Sequence, residues 1–192
     1  NWDFEKDFIK KTKVNVFGYD HSIDNNFWLS RFKRDLIKFL KLKIFKPKKL
    51  YKMFQYLDFL YFFKLNKLNK FYLKKIGKNS SSINLQTIID KHLVFKENIF
   101  LKIDIENFEY EILNEIIQNK SKIDGIVIEF HEVSKNLNKI IEFIKMLSPD
   151  ISLVHIHGNN YSVKKLDSFP EAIELTFSKD ITSNKHNDKE YP

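Results

Sequence analysis

Residues 99–113, Ile-Phe-Leu-Lys-Ile-Asp-Ile-Glu-Asn-Phe-Glu-Tyr-Glu-Ile-Leu, constrain this chain more than any other stretch, because a strand must hand over to a helix within a few residues. Ile99 to Ile103 is apolar apart from Lys102 and rich in β-branched residues, as a short buried strand requires. The period then changes. Ile105, Phe108, Ile112, Leu113 and Ile116 fall at helical spacing, and Glu106, Glu109 and Glu111 lie early in that helix, where its positive dipole end favours acids. A strand that ends in a carboxylate and turns into an acidic helix start is the site geometry of an open α/β sheet, whose ligands lie off the carboxyl ends of the strands. The plainer alternative is that Asp104 merely N-caps the helix.

The rest of the chain repeats this alternation. Trp2 to Lys11 reads as a helix, and Val14 to Tyr19 as a strand ending at Asp20. Phe71 to Ile76 reads as a third-strand candidate, and Asn84 to His92 as a helix after a polar loop. Asp124 to Phe130 is the clearest strand, running into Glu129, Phe130 and His131. Asn138 to Leu147 reads as a helix stopped near Pro149, Ile151 to Ile156 as a strand, and Ala172 to Ser178 as a last alternating strand. The tail from Thr182 is polar and expected to be loose. The expected organisation is one α/β domain over 1–181, with a helical insert at 27–75 and a tail at 182–192.

Charge is uneven along the chain. Residues 27–78 carry 16 Lys and Arg against 2 acids, whereas the remainder carries 17 against 23. Aromatics interleave with these lysines, from Phe32 and Phe39 to Tyr61, Phe62 and Phe63. Such an insert suits a cap over an anionic substrate, a surface for acidic lipids, a nucleic-acid face, or simply a helical pair with an aromatic core and a lysine exterior. Only Arg31 and Arg34 are arginines, the residue that nucleic-acid readers favour for bidentate contacts, so a nucleic-acid partner is not expected. The chain has no cysteine, which excludes disulfides, thiolate metal sites and thiol nucleophiles. Residues 1–20 show no signal-peptide apolar region, and no stretch approaches the roughly 18–20 apolar residues of a membrane span, so a cytoplasmic protein is expected.

Three successive strands end in polar clusters: Asp104 and Glu106, then Glu129 and His131, then His155, His157, Asn159 and Asn160. In a parallel sheet these ends converge on one edge. Histidine beside carboxylates suits general-base work on a hydroxyl near neutral pH. The same groups could hold a divalent cation, though no metal ligand is assigned. No serine sits in a Gly-x-Ser-x-Gly turn, and no Walker loop is present.

Leu101-Lys-Ile-Asp-Ile-Glu-Asn-Phe-Glu-Tyr-Glu-Ile-Leu113 resembles the Lys-Ile-Asp-(Val/Ile)-Glu-Gly-x-Glu signature of FkbM-type methyltransferases. Ile128-Glu-Phe-His131, His155-Ile-His-Gly-Asn-Asn-Tyr161 and Glu174-Leu-Thr-Phe177 resemble later strand segments of a bacterial branch of that family. Asn107 stands where the signature has glycine, and Asn1 to Phe8 resembles the segment just after the family's glycine-rich cofactor loop. The resemblance implies a Rossmann-like class I fold, a doubly wound sheet with an antiparallel last strand, here expected without its first strand and cofactor loop. It implies an S-adenosylmethionine-dependent O-methyltransferase acting on a hydroxyl of a sugar, glycan precursor or related small metabolite, with an anionic acceptor suiting the lysine-rich insert. Carried over, Asp3, Asp20, His21 and Asp104 would bind the cofactor, Asp20 at the ribose and Asp104 beside the methyl group. Asp104, His131 and His157 would be catalytic, with the histidines as base candidates. Glu106, Glu129, His155, Asn159 and Asn160 would face the acceptor. The alternatives are a non-catalytic fragment or polyanion- or membrane-surface-binding module that uses the basic insert, and a metal-dependent hydrolase built on the acid and histidine clusters.

Overall fold

The computed structural model describes residues 3–41, 55–65, 68–77, 80–93, 98–106, 108–159 and 170–179, which belong to two compact units, Asn1–Lys75 and Ile76–Pro192. In the first unit, α1 (Asp3–Thr12) leads to β1 (Phe17–Tyr19), and α2 (Asn25–Lys41) starts where the Asp24 carboxylate accepts the Phe27 amide at 2.7 Å, an N-cap. A helical stretch over 55–59 passes into a π-helical turn, Leu60–Leu65, followed by β2 (Lys70–Tyr72). β1 and β2 pair in parallel, Phe17 opposite Lys70 and Tyr19 opposite Tyr72.

The core of this unit comes from the expected insert. Trp28, Phe59, Phe62 and Phe63 are buried, and the Phe59 and Phe63 rings lie 5.1 and 5.3 Å from that of Phe71 on β2. This is the aromatic-core arrangement, with Lys33 and Lys64 exposed. Gly18 makes it possible, since a Cβ there would lie 3.0 Å from the Phe71 ring and 3.1 Å from that of Phe63. Asn69, buried, ties the elements together: its Oδ1 accepts the Val16 amide at 3.1 Å, and its Nδ2 donates to the Phe62 carbonyl at 3.3 Å.

The second unit runs α3 (Leu85–His92), β3 (Ile99–Ile103), α4 (Glu109–Gln118), a 3₁₀ turn (Lys120–Lys122), β4 (Ile123–His131), α5 (Val133–Leu147), β5 (Ser152–Gly158) and β6 (Ala172–Ser178). The sheet order is β3-β4-β6-β5. β3 and β4 are parallel, and β6 is antiparallel to both β4 and β5, so β3, β4 and β5 point the same way. This is a mixed α/β sheet, parallel except for β6, the reversed strand that the sequence reading expected. β4 is buried along most of its length because it lies inside the sheet. Phe130, Phe143 and Phe177 meet edge to face at 6.0 and 5.7 Å beneath it, among Ile116, Ile126, Ile128 and Leu147.

Several boundaries differ from the sequence reading. α4 begins at Glu109, not near Ile105, because Glu106 adopts a left-handed backbone (φ 47°) that interrupts the helix. Asp104 therefore does not cap α4, whose N-cap position is Phe108. The third strand is Lys70–Tyr72, and Ile76 instead makes a lone bridge to Ile83. β1 is shorter than expected, with Val14 exposed before it, and α5 starts earlier, at Val133. Asn107, Asn160, residues 42–54 of the expected helical insert and the 182–192 tail lie outside the described residues. Among the described residues no helix is long and apolar enough to cross a membrane.

Candidate active site

The strand register aligns the polar strand ends. β3 pairs Ile103 with Ile128, which brings Asp104, the next residue, level with Glu129. Glu129 stands opposite Glu174 of β6, and Glu174 stands opposite His157 of β5. Residues directly opposite one another share a face of the sheet, so Glu129, Glu174 and His157 form one row with Asp104 at its end. His131 and His155 lie two residues away along their strands and therefore point to the same side.

Within this row three groups converge. One ligand atom each from Asp104, Glu129 and His131 lies within 4.8 Å of the other two. Asp104 is exposed, and Glu129 and His131 are half-buried. The Asn159 side-chain amide donates to Glu129 Oε1 at 2.7 Å, which orients that carboxylate. His155 and His157 are exposed on β5, their rings near-parallel and 6.4 Å apart. Glu106 is exposed in the turn after Asp104. Asp3, Asp20 and His21 belong to the first unit. There Asp20 Oδ1 accepts both the amide and the hydroxyl of Ser22 at 2.7 Å, closing a tight turn after β1. Asp3 and His21 are exposed.

The sequence reading missed Glu109 as a site residue. It is fully buried, and its Oε1 lies 2.7 Å from His131 Nδ1. A signal existed: Glu109 falls on the apolar stripe, four residues after Ile105 and three before Ile112. An acid placed there faces inward and needs a partner. Beside it, Tyr110 donates its hydroxyl to the His131 carbonyl at 2.6 Å, fixing the end of β4. Two of the three left-handed non-glycine residues among those described, Glu106 and Glu132, immediately follow this constellation (φ 47° and 51°). Each such backbone costs roughly 1–3 kcal/mol, and such strain clusters where a loop must present a side chain.

The electrostatics reflect this crowding. The Asp104 carboxyl is raised above its ordinary pKa, first by desolvation and then by the charge of Glu129. For His131, desolvation is the largest single influence and pulls its pKa down. The hydrogen bond and charge of Glu109, with the charges of Glu129 and Asp104, outweigh it, and the net shift is upward. With Glu109 holding Nδ1–H, Nε2 is the nitrogen left to accept a proton or a metal.

No family model matches the chain, and no curated protein matches it. Solved structures do. SMU.1697c from Streptococcus mutans, described as a methyltransferase and solved with SAH, is 14% identical over 92% of this chain and 96% of its own, at a TM-score of 0.42. An rRNA methylase from Streptococcus thermophilus is 11% identical over 92% and 94%, at 0.40. Precorrin-6y C5,15-methyltransferase from Geobacter metallireducens is 10% identical over 87% and 82%, at 0.35. At these scores the fold assignment rests on the strand order itself.

Proposed function

We propose that the protein is an S-adenosylmethionine-dependent O-methyltransferase acting on a hydroxyl of a sugar, glycan precursor or related small metabolite. The observation that carries this reading is the meeting of Asp104, Glu129 and His131 at the carboxyl ends of β3 and β4, where a sheet of this order receives its ligands. The motif resemblance in the same residues points to methyl transfer rather than hydrolysis. The three carboxylates of the row, Asp104, Glu129 and Glu174, suit a polyhydroxyl acceptor and disfavour a nucleic-acid backbone.

The residues fit the cofactor chemically. Carboxylates accept hydrogen bonds only, which suits a ribose diol at Asp20, where the two Ser22 bonds occupy Oδ1. Asp3 and His21 are proposed beside Asp20 for a cofactor role in the first unit, and the motif resemblance gives Asp104 a cofactor role in the second. S-adenosylmethionine supplies an electrophilic methyl on a sulfonium. The chain's own work is to align the acceptor and take its proton. His131 Nε2 is the proposed base, a reading supported by Glu109, which holds the ring through Nδ1 and would stabilise the imidazolium. His157 is the second base candidate, and Glu106, Glu129, His155, Asn159 and Asn160 are proposed to hold the acceptor.

Calorimetric titration with S-adenosylhomocysteine tests the reading, on this chain and on one extended upstream of Asn1. Saturable binding that is weakened by Asp20→Ala and by Asp104→Asn is expected. Silence from both chains at concentrations that reveal millimolar affinity overturns it, and the basic insert's affinity for polyanions would then be the property to measure.

A further inference from the structure

We infer that Asp104, Glu129 and His131 form a binding site for a divalent cation of the manganese type. The donor set is mixed, two carboxylates and one imidazole, and all three ligand atoms already lie within 4.8 Å of one another, as donors around a single ion do. Two residues outside the triad hold the donors in place. Buried Glu109 holds His131 through Nδ1, which leaves Nε2 as the nitrogen able to ligate an ion, and the Asn159 amide holds Glu129 through Oε1. A carboxylate behind a ligating histidine is the usual support of a protein metal site, because it fixes both tautomer and ring orientation.

The two carboxylates suit a hard dication and the imidazole a first-row transition metal, and manganese is the ion between these preferences. Three protein donors leave about half of a six-coordinate shell open. Asp104 is exposed, so solvent and a small ligand can reach that side of the cluster. Two neighbouring hydroxyls of a polyol fill such an opening, and a bound cation acidifies a hydroxyl that it touches. This last step rests on the proposed acceptor class, whereas the cation site does not. With the ion in place His131 is a ligand, and His157 is the remaining base candidate.

The experiment uses Mn²⁺ alone on the chelator-treated chain, without cofactor or acceptor, read by electron paramagnetic resonance of the free ion and by calorimetry. One ion per chain is expected. Asp104→Asn should weaken binding at least tenfold, and because Asp104 is exposed and the change is isosteric, this variant folds. Glu109→Gln, which touches no ion, should weaken binding by roughly 10–100-fold through the misplaced imidazole. Absence of binding at millimolar Mn²⁺, or binding indifferent to Asp104→Asn, overturns the inference. Either result leaves methyl transfer standing on its own test with S-adenosylhomocysteine.

Discussion

The Glu109–His131 pair can be isolated by a double-mutant cycle of Glu109→Gln and His131→Ala, with both singles and the double measured in EDTA. The bond is short, 2.7 Å, and Glu109 is fully buried while the His131 side chain is 22% exposed. A hydrogen bond to a charged group contributes about 1.5–3 kcal/mol, and breaking a wholly buried ion pair costs about 3–5 kcal/mol. The partial exposure of the imidazole screens the pair, so a coupling of about 2 kcal/mol at pH 6 is expected, below the fully buried figure. In a chain of this length 2 kcal/mol corresponds to roughly 4–8 °C in Tm, well within reach of calorimetry or urea denaturation. The pH dependence has a definite sign. The His131 pKa is raised in the folded state, so its contribution is fully present below about 6.5 and is lost as pH rises through the folded value. The coupling should therefore shrink between pH 6 and pH 9. A coupling under about 0.5 kcal/mol at pH 6, or one that grows with pH, would refute this account of the buried carboxylate.

Gly125→Ala should destabilise the second unit by about 1–3 kcal/mol, because the new Cβ would lie 2.8 Å from the Phe100 ring and 3.2 Å from the Phe177 carbonyl. Adding Phe100→Leu should recover part of that loss in denaturant unfolding, and an unchanged penalty would locate the clash elsewhere. Asn84→Ala removes the side-chain oxygen that accepts the Thr87 amide at 2.8 Å, costing about 1 kcal/mol, whereas Asn84→Asp should retain the cap. Tyr19 is pushed up to about 12 by burial and then by neighbouring Tyr72. Its raised value favours the folded state below pH 10 and loses that advantage as pH climbs toward 12. Tyr110 is likewise pushed up to about 12, first by burial, so ultraviolet titration should show the late-ionising signal reduced by one tyrosine in Tyr19→Phe, and an unchanged signal would assign the shift to another residue.

Much of the second unit was legible because its elements are long and periodic. β4 reads as the clearest strand and α5 as an amphipathic helix, and both occur, β4 one residue longer at each end and α5 with an earlier start. The convergence of Asp104, Glu129 and His131 was likewise readable from their shared place at strand ends. What escaped was set by backbone geometry and tertiary pairing. Ile105 keeps helical spacing with Ile112, yet the left-handed Glu106 delays the helix until Glu109, so periodicity alone put the start too early. Glu109 was read only as an acid favoured by the helix dipole, because its partner His131 stands 22 positions away and on another element. Glu174 was seen only as part of a motif. Its place between Glu129 and His157 follows from a strand register that no local pattern encodes.

Among the described residues β6 is the last strand in chain order, yet it lies between β4 and β5. As the polypeptide leaves the ribosome, β5 therefore emerges before the strand that will hold it. Its final position is two strand spacings from β4, roughly 9–10 Å away, and nothing earlier in the sheet can hydrogen-bond it there. A premature β4–β5 ladder would be parallel and would have to break again to admit residues 172–178. Such non-local pairing is slow and exposes an unpaired edge while it waits. The row that joins Glu129 to His157 is thus completed by a strand synthesised after β5, and a nascent chain halted before Ala172 would carry Asp104, Glu129 and His131 without the β5 side of the site.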